Sequence, residues 1–144
     1  MSHYEKIWWL EENSIGGMPK PAIEEIPELY KNGLRAVASF LEGKDNLEEY
    51  KANDIEAFWI PVEDDEAPTR EQAEKFREFV IEMKNASKPL AVHCKGGNGR
   101  AGTMLAAYYV LEGKNANEVL SWMRSINPKA VRTEAQEVFL KSLK

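Results

Sequence analysis

Val92-His93-Cys94-Lys95-Gly96-Gly97-Asn98-Gly99-Arg100-Ala101-Gly102-Thr103, residues 92–103, runs from strand formers through a glycine-rich turn into helix-compatible sequence. The glycines let successive backbone N–H groups point to one centre, and a helix opening at about Arg100 adds the positive end of its dipole. Such a turn is an anion cradle, with Cys94 at its floor and Arg100 six positions later. A sulfur held there is favoured as the thiolate. Cys94 is the only cysteine in the chain, and a lone cysteine by itself reads either as a small buried hydrophobe or as a reactive thiol.

Working outward, Pro89-Leu90-Ala91-Val92-His93 has an unbroken apolar centre, which predicts a buried strand in a central position. Before it, Thr69-Arg70-Glu71-Gln72 is a capping box, and Ala73, Phe76, Val80 and Met83 share one face of the helix it opens. Ile55 to Val62 has strand character with Pro61 near its end, and Glu63 to Pro68 is a loop carrying Glu63, Asp64, Asp65 and Glu66. Arg35 to Leu41 reads as a strand, Leu47 to Lys51 as a short helix, and Pro21 to Asn32 as a helix stopped by Asn32-Gly33. Lys6 to Leu10 favours a strand, and Ser14-Ile15-Gly16-Gly17-Met18-Pro19 reads as a turn-rich connection.

After the cradle only helices are expected, at Arg100 to Glu112, Asn115 to Ile126 and Thr133 to Leu143. Strands alternating with helices, then helices alone, predict one α/β domain over residues 1–144. Its central, mostly parallel sheet has about four or five strands flanked by helices. The binding crevice of such sheets lies beyond the carboxyl ends of the strands, where Cys94 falls.

With 43% hydrophobic and 30% charged residues, the composition excludes global disorder. A net charge of -5 gives no general attraction to nucleic acid or an anionic membrane. No apolar run approaches the roughly 20 residues of a membrane span, and Met1 to Lys6 lacks a basic start leading into an apolar core. A cytoplasmic monomer is expected, with no nucleic-acid or membrane partner. The only histidines are His3 and His93, so no zinc-type ligand cluster can form, and neither a metal nor another cofactor is expected.

Gly97, Gly99 and Gly102 formally spell G-x-G-x-x-G. A dinucleotide site also needs a second strand with an acidic residue about 20 positions on, and that region, Asn117 to Met123, is helical. A Walker A loop is excluded because no Gly-Lys-Ser/Thr ends the run.

His93-Cys94-x5-Arg100 fits the signature H-C-x5-R, and here the chain resembles the cysteine-based protein tyrosine phosphatases. More narrowly it resembles the small dual-specificity phosphatases, including compact archaeal and atypical ones. Ser14-Ile15-Gly16-Gly17, Ile60-Pro61-Val62-Glu63-Asp64 and Pro128-Lys129-Ala130-Val131-Arg132-Thr133-Glu134-Ala135-Gln136 are similar to family segments at family spacing, so nearly the whole chain is covered. The resemblance implies a phosphatase-type fold and metal-independent hydrolysis of phosphate monoesters through a cysteinyl-phosphate intermediate. A phosphorylated protein or peptide is the implied substrate.

The chemistry requires a nucleophile, a clamp for the phosphoryl oxygens and an acid for the leaving group. Cys94 is the candidate nucleophile. Lys95, Gly96, Gly97, Asn98, Gly99 and Arg100 are the candidate binding residues, Arg100 as a bidentate fork that lysine cannot imitate. By resemblance, His93 orients the loop, and Asp64 is general acid and then base. Asp65 is the rival for that role, and a solvated acidic loop is the plain alternative. Gln136 matches a glutamine that places the hydrolytic water in relatives. It is equally the third residue of a Thr133-x-x-Gln136 capping box.

Most relatives carry Ser or Thr after the arginine, where this chain has Ala101. The regenerating-liver phosphatases share that alanine, so the departure implies slow breakdown of the intermediate, and Thr103 stands too far along the helix to substitute. Lys95 resembles a residue of phosphatases that accept phosphoinositides, but the partner position three residues on is Asn98. A phosphoinositide or other small phosphate-ester phosphatase, and a phosphate-binding module with very low turnover, are the alternatives.

Overall fold

A computed structural model describes residues 2–143. In chain order the regular elements are β1 (Trp8–Glu11), β2 (Ile15–Gly17), α1 (Ile26–Lys31), β3 (Ala36–Ser39), α2 (Leu47–Ala52), β4 (Glu56–Trp59), α3 (Arg70–Asn85), β5 (Leu90–His93), α4 (Gly99–Leu111), α5 (Ala116–Ile126) and α6 (Glu134–Ser142). Tyr4–Lys6 and Ile23–Glu25 form 3-10 turns. The strands make one sheet in the order β1-β2-β5-β3-β4. β2, β5, β3 and β4 run parallel, and β1 closes one edge antiparallel to β2.

β5 is central, as its apolar run predicts, and all four of its residues are buried. Its neighbours pair in register, Ile15 and Ala36 both opposite Leu90, and Ser39 opposite His93. Successive side chains alternate between faces. Leu90 and Val92 therefore join Ala36 and Ala38 in the larger apolar cluster, while Ala91 joins Val37 in the smaller. α1 and α2 cover the smaller cluster with Ile26, Leu29 and Tyr50.

On the other face lies α4, in which every residue from Gly99 to Val110 is buried. A helix that is apolar all round belongs inside a protein, and α3, α5 and α6 supply its outer cover. Thr69 caps α3 by accepting from the Gln72 N–H at 3.1 Å, completing the predicted capping box, and Ala73, Phe76, Val80 and Met83 are all buried.

Three details differ from the sequence reading. Ser14 to Pro19, read as a turn-rich connection, contains β2. Its glycines serve close approach, since a Cβ on Gly17 would stand 2.3 Å from the Trp8 indole and one on Gly16 2.8 Å from the Trp8 carbonyl oxygen. The helix expected from Pro21 begins at Ile26 behind a 3-10 turn. The strand expected over Ile55 to Val62 is confined to Glu56–Trp59, although Ile60 and Val62 still donate to Ser39 O and Phe40 O at 3.0 and 3.2 Å. Pro61 between them has no N–H to extend the ladder. Among the described residues no helix is long and apolar enough to cross a membrane.

Phe76 is fully buried and meets Phe40 edge to face, with ring centroids 5.4 Å apart. Phe76→Ala is expected to lower the unfolding free energy by about 3–5 kcal/mol, read from the urea midpoint at unchanged slope.

Candidate active site

Three strand ends converge on one edge of the sheet. β5 ends in His93 and delivers Cys94, which is buried; Phe40 follows β3; and Val62 lies three residues beyond β4. The turn after Cys94 leads into α4, whose second residue is Arg100.

His93 is fully buried and bonds at both ring nitrogens, with Nδ1 3.1 Å from Cys94 O and Nε2 2.7 Å from the Tyr50 hydroxyl. A carbonyl oxygen can only accept, so Nδ1 carries the hydrogen and the Tyr50 hydroxyl donates to Nε2. Asn46 Nδ2 in turn reaches Tyr50 Oη at 3.4 Å and Pro21 O at 2.9 Å. Burial pushes the His93 pKa down to about 4, a shift only partly opposed by the bond to Cys94 O, and burial also raises the pKa of Tyr50. Both groups are neutral near pH 7, which suits them to holding the loop rather than carrying protons.

The loop itself is backed by the segment after β2. Met18 N donates to Val92 O at 3.0 Å and Lys20 N to Lys95 O at 3.1 Å. Gly97 has φ +82, and a Cβ there would lie 2.3 Å from Met18 O, so both its conformation and its packing demand glycine. Asn98 fixes the far side. Its carbonyl accepts from Gly102 N and Val131 N, each at 3.1 Å, and its side-chain Oδ1 accepts from Asn127 Nδ2 at 2.9 Å.

Arg100 is only 5% exposed. Its Nη1 donates to Val62 O at 2.9 Å and Phe40 O at 3.4 Å, while Nε is buried without a hydrogen-bond partner. The nearest carboxylates stand off, Asp64 Oδ1 at 3.6 Å from Nε and Glu42 Oε1 at 3.9 Å from Nη1, and both acids are mostly exposed. A cavity of about 280 Å³ opens over this cation. Its wall holds Cys94, Lys95, Gly96, Asn98, Gly99 and Arg100, together with Asp64 and Arg132.

Of the residues read from sequence, Gly97 faces away from the cavity, against Met18. Asp64 lines the cavity and Asp65 does not; Asp65 adopts φ +63, and its carbonyl accepts from the Thr133 hydroxyl at 3.0 Å. Gln136 is fully buried outside the cavity wall. Its Oε1 accepts from Arg132 N at 2.9 Å and Thr133 N at 3.2 Å, and its Nε2 donates to Glu66 O at 3.2 Å. The capping role is therefore formed, and with it a tie to the acidic loop. Thr103 donates its hydroxyl to Gly99 O at 2.7 Å, so the helix backbone consumes it.

Arg132 is not one of the candidate site residues; in the sequence it stands only within the Pro128 to Gln136 segment, with no periodicity to mark it. Its aliphatic stem lies along Gly99, where an added Cβ would come 3.2 Å from Arg132 Cδ. Among the described residues, no group of three or more His, Cys, Asp or Glu could hold a metal ion.

Residues 5–140 match the sequence model of a family described as Swiss Army Knife protein, DSP-PTPase phosphatase domain. The chain is 27% identical over 122 residues to the tyrosine-protein phosphatase CDC14 of Candida albicans, a match covering 84% of the chain and 22% of that protein. It is 30% identical over 137 residues to the phosphatidylglycerophosphate phosphatase PTPMT1 of Arabidopsis thaliana, covering 90% of the chain and 40% of that protein. The chain thus spans well under half of either relative. In three dimensions it is similar to Tk-PTP in its active form, with a TM-score of 0.87 at 27% identity over 96% of this chain and 95% of that one.

The depressed His93 pKa fixes a pH dependence. Below about 6.5 the unfolded chain takes up a proton that the folded protein refuses until about 4, so this contribution is complete above 6.5 and is lost as pH falls toward 4. In urea denaturation at a series of pH values, His93→Gln is expected to flatten the stability slope within that window relative to wild type.

Proposed function

The chain belongs to the family of DSP-PTPase phosphatase domains, and from that premise we propose that it hydrolyses phosphate monoesters on proteins through a cysteinyl-phosphate intermediate, without a metal. The observation that carries this reading is Arg100, a buried guanidinium whose Nε lacks a hydrogen-bond partner beneath the cavity that Cys94 lines. Phosphotyrosine is the first substrate, with phosphoserine and phosphothreonine also accepted.

In the first step the Cys94 thiolate attacks phosphorus, and the bond from phosphorus to the leaving oxygen breaks as Asp64 gives that oxygen its proton. Arg100 and the backbone N–H groups of the loop bind the phosphoryl oxygens through the displacement. Asp64 and Glu42 move aside from Arg100 as the phosphate enters, since both carboxylates are exposed and held off at 3.6 and 3.9 Å. In the second step water attacks phosphorus, Asp64 takes the proton of the water, and the phosphorus–sulfur bond breaks to free inorganic phosphate and the thiolate. His93, neutral and bonded at both nitrogens, holds the loop during both steps.

A second reading, a phosphoinositide or other small phosphate-ester phosphatase, draws on the exposed Lys95 at the cavity wall and on the likeness to the Arabidopsis phosphatidylglycerophosphate phosphatase. The exposed acids Glu63, Asp64, Asp65 and Glu66 beside the same cavity favour the protein substrate, because they repel an anionic bilayer.

With an aryl phosphate, wild type is expected to release a burst of phenol and then turn over slowly, because Ala101 leaves no hydroxyl to assist breakdown of the intermediate. Ala101→Ser raises the steady rate and leaves the burst in place; an unchanged steady rate removes this explanation of slow turnover. Cys94→Ser abolishes the burst while inorganic phosphate still binds. Asp64→Ala is expected to slow the first step by about 10²–10⁴-fold for poor leaving groups and much less for good ones. The same loss in Asp65→Ala instead would transfer the role to Asp65.

A further inference from the structure

β4 is an outer strand of the sheet, with β3 on one side and no strand on the other. Glu56 N and Ile60 N donate to Arg35 O and Ser39 O at 2.9 and 3.0 Å, so these residues turn their backbone groups toward β3. That direction alternates along a strand, and the N–H and C=O groups of Ala57 and Trp59 therefore point off the sheet. An open edge of this kind is a template for another strand. Ala57, at its middle, is exposed.

A cavity lies along the same edge. Ala57 and Trp59 stand opposite Val37 and Ser39, and with Leu47 and Lys51 of α2 and with Ile55 they line a space of about 490 Å³. The Trp59 wall is fixed in place, its Nε1 donating to Leu41 O at 2.9 Å and its ring lying 5.4 Å from Lys44 Nζ. Side chains of a strand added at β4 would alternate between the two faces, so every second one drops toward this cavity. The edge also leads to the candidate active site. Ser39 is opposite both His93 and Trp59, so β4 ends level with the residue before Cys94, and the Glu63 to Glu66 run begins four residues after Trp59.

We propose that the β4 edge docks an extended segment of the phosphoprotein substrate, which joins the sheet as a further strand while its phosphorylated residue lies over Cys94; the inference rests on the phosphatase reading of the catalytic cavity. One large apolar side chain of the segment fills the cavity beside Trp59. Basic residues flanking it meet the exposed Asp54 at one end of the edge and the Glu63 to Glu66 run at the other. Strands lie about 4.8 Å apart, so the added strand stands about 14 Å from β5, a span that takes about four residues or more of extended chain. A second copy of this chain fits the edge poorly. A two-fold axis pairs β4 antiparallel with itself, and the acidic run of each copy is then brought toward Asp54 of the other.

The test compares kcat/KM for a short phosphotyrosine peptide with a set of longer ones. In the set, one leucine or phenylalanine flanked by lysines stands at successive positions, from about four residues outward on either side of the phosphotyrosine. In wild type at least one long peptide is expected to be preferred by about tenfold, the worth of a pair of backbone hydrogen bonds, through KM with kcat unchanged. Two changes should each return the preference to about one: N-methylation of alternate amides in the docked segment, and Ala57→Pro, which removes an outward N–H that an edge strand can lose. Circular dichroism checks that the variant keeps its fold. Equal kcat/KM across the set, or a preference that survives N-methylation, overturns the docking edge and leaves the phosphatase reading standing. Calorimetry of the same peptides with Cys94→Ser separates the two claims. If wild type hydrolyses none of them, yet Cys94→Ser binds a long peptide about tenfold more tightly and loses that gain on N-methylation, the edge stands and the phosphatase reading falls. A wild-type dimer in sedimentation that Ala57→Pro dissociates gives the edge to a second copy and overturns the substrate assignment.

Discussion

A guanidinium stays charged at any physiological pH, so burying Arg100 to 5% exposure places a fixed cation beneath the protein surface. An ion in that position is costly unless paired. The fold compensates it partly and no further. The carbonyls of Phe40 and Val62, delivered from beyond β3 and β4, hold Nη1, and the exposed acids Asp64 and Glu42 stand at 3.6 and 3.9 Å. The parallel order β5-β3-β4 is what brings Cys94, Phe40 and Val62 to the same edge. The sheet is thus the frame for an incompletely neutralised charge, and on the proposed reading the substrate phosphate is its missing partner.

Much of this was legible in the chain because periodicity and local chemistry agreed. The four-residue strand Leu90–His93 announced its central place by having no polar face, and the α3 face formed as its spacing required. That Cys94, Lys95, Gly96, Asn98, Gly99 and Arg100 line one cavity was legible, because they fall in one short glycine-rich turn between a strand and a helix. What stayed hidden was fixed by contacts distant in sequence. Gly16 and Gly17 read as a turn, because nothing local reveals that the Trp8 backbone and indole occupy the space where their side chains would be. Arg132 carries no periodic signal; a left-handed Val131 and a groove along Gly99 bring it to the cavity. Gln136 offered two roles, and only the fold shows its amide bonded to Arg132 N, Thr133 N and Glu66 O.

Residues 131–136 bridge the loop that follows Cys94 and the loop that carries Asp64. Toward the cradle, Val131 N bonds Asn98 O; toward the acidic loop, the Thr133 hydroxyl and Gln136 Nε2 bond the carbonyls of Asp65 and Glu66. The start of α6 therefore sets the separation between Cys94 and Asp64 without supplying a reacting atom. A rigid helix end is a better spacer than either loop would be for the other, since its own backbone groups are already satisfied by the capping box.

Cys94 is the chain's only sulfur nucleophile, with no second thiol to divide the signal. Any thiol-directed label that the folded chain accepts reports on this one buried atom, so adduct mass and adduct rate together read the ionisation and accessibility of a single position. The same solitude has a redox side. A sulfenic acid formed at Cys94 meets no resolving cysteine within the chain, so its repair must come from an external thiol.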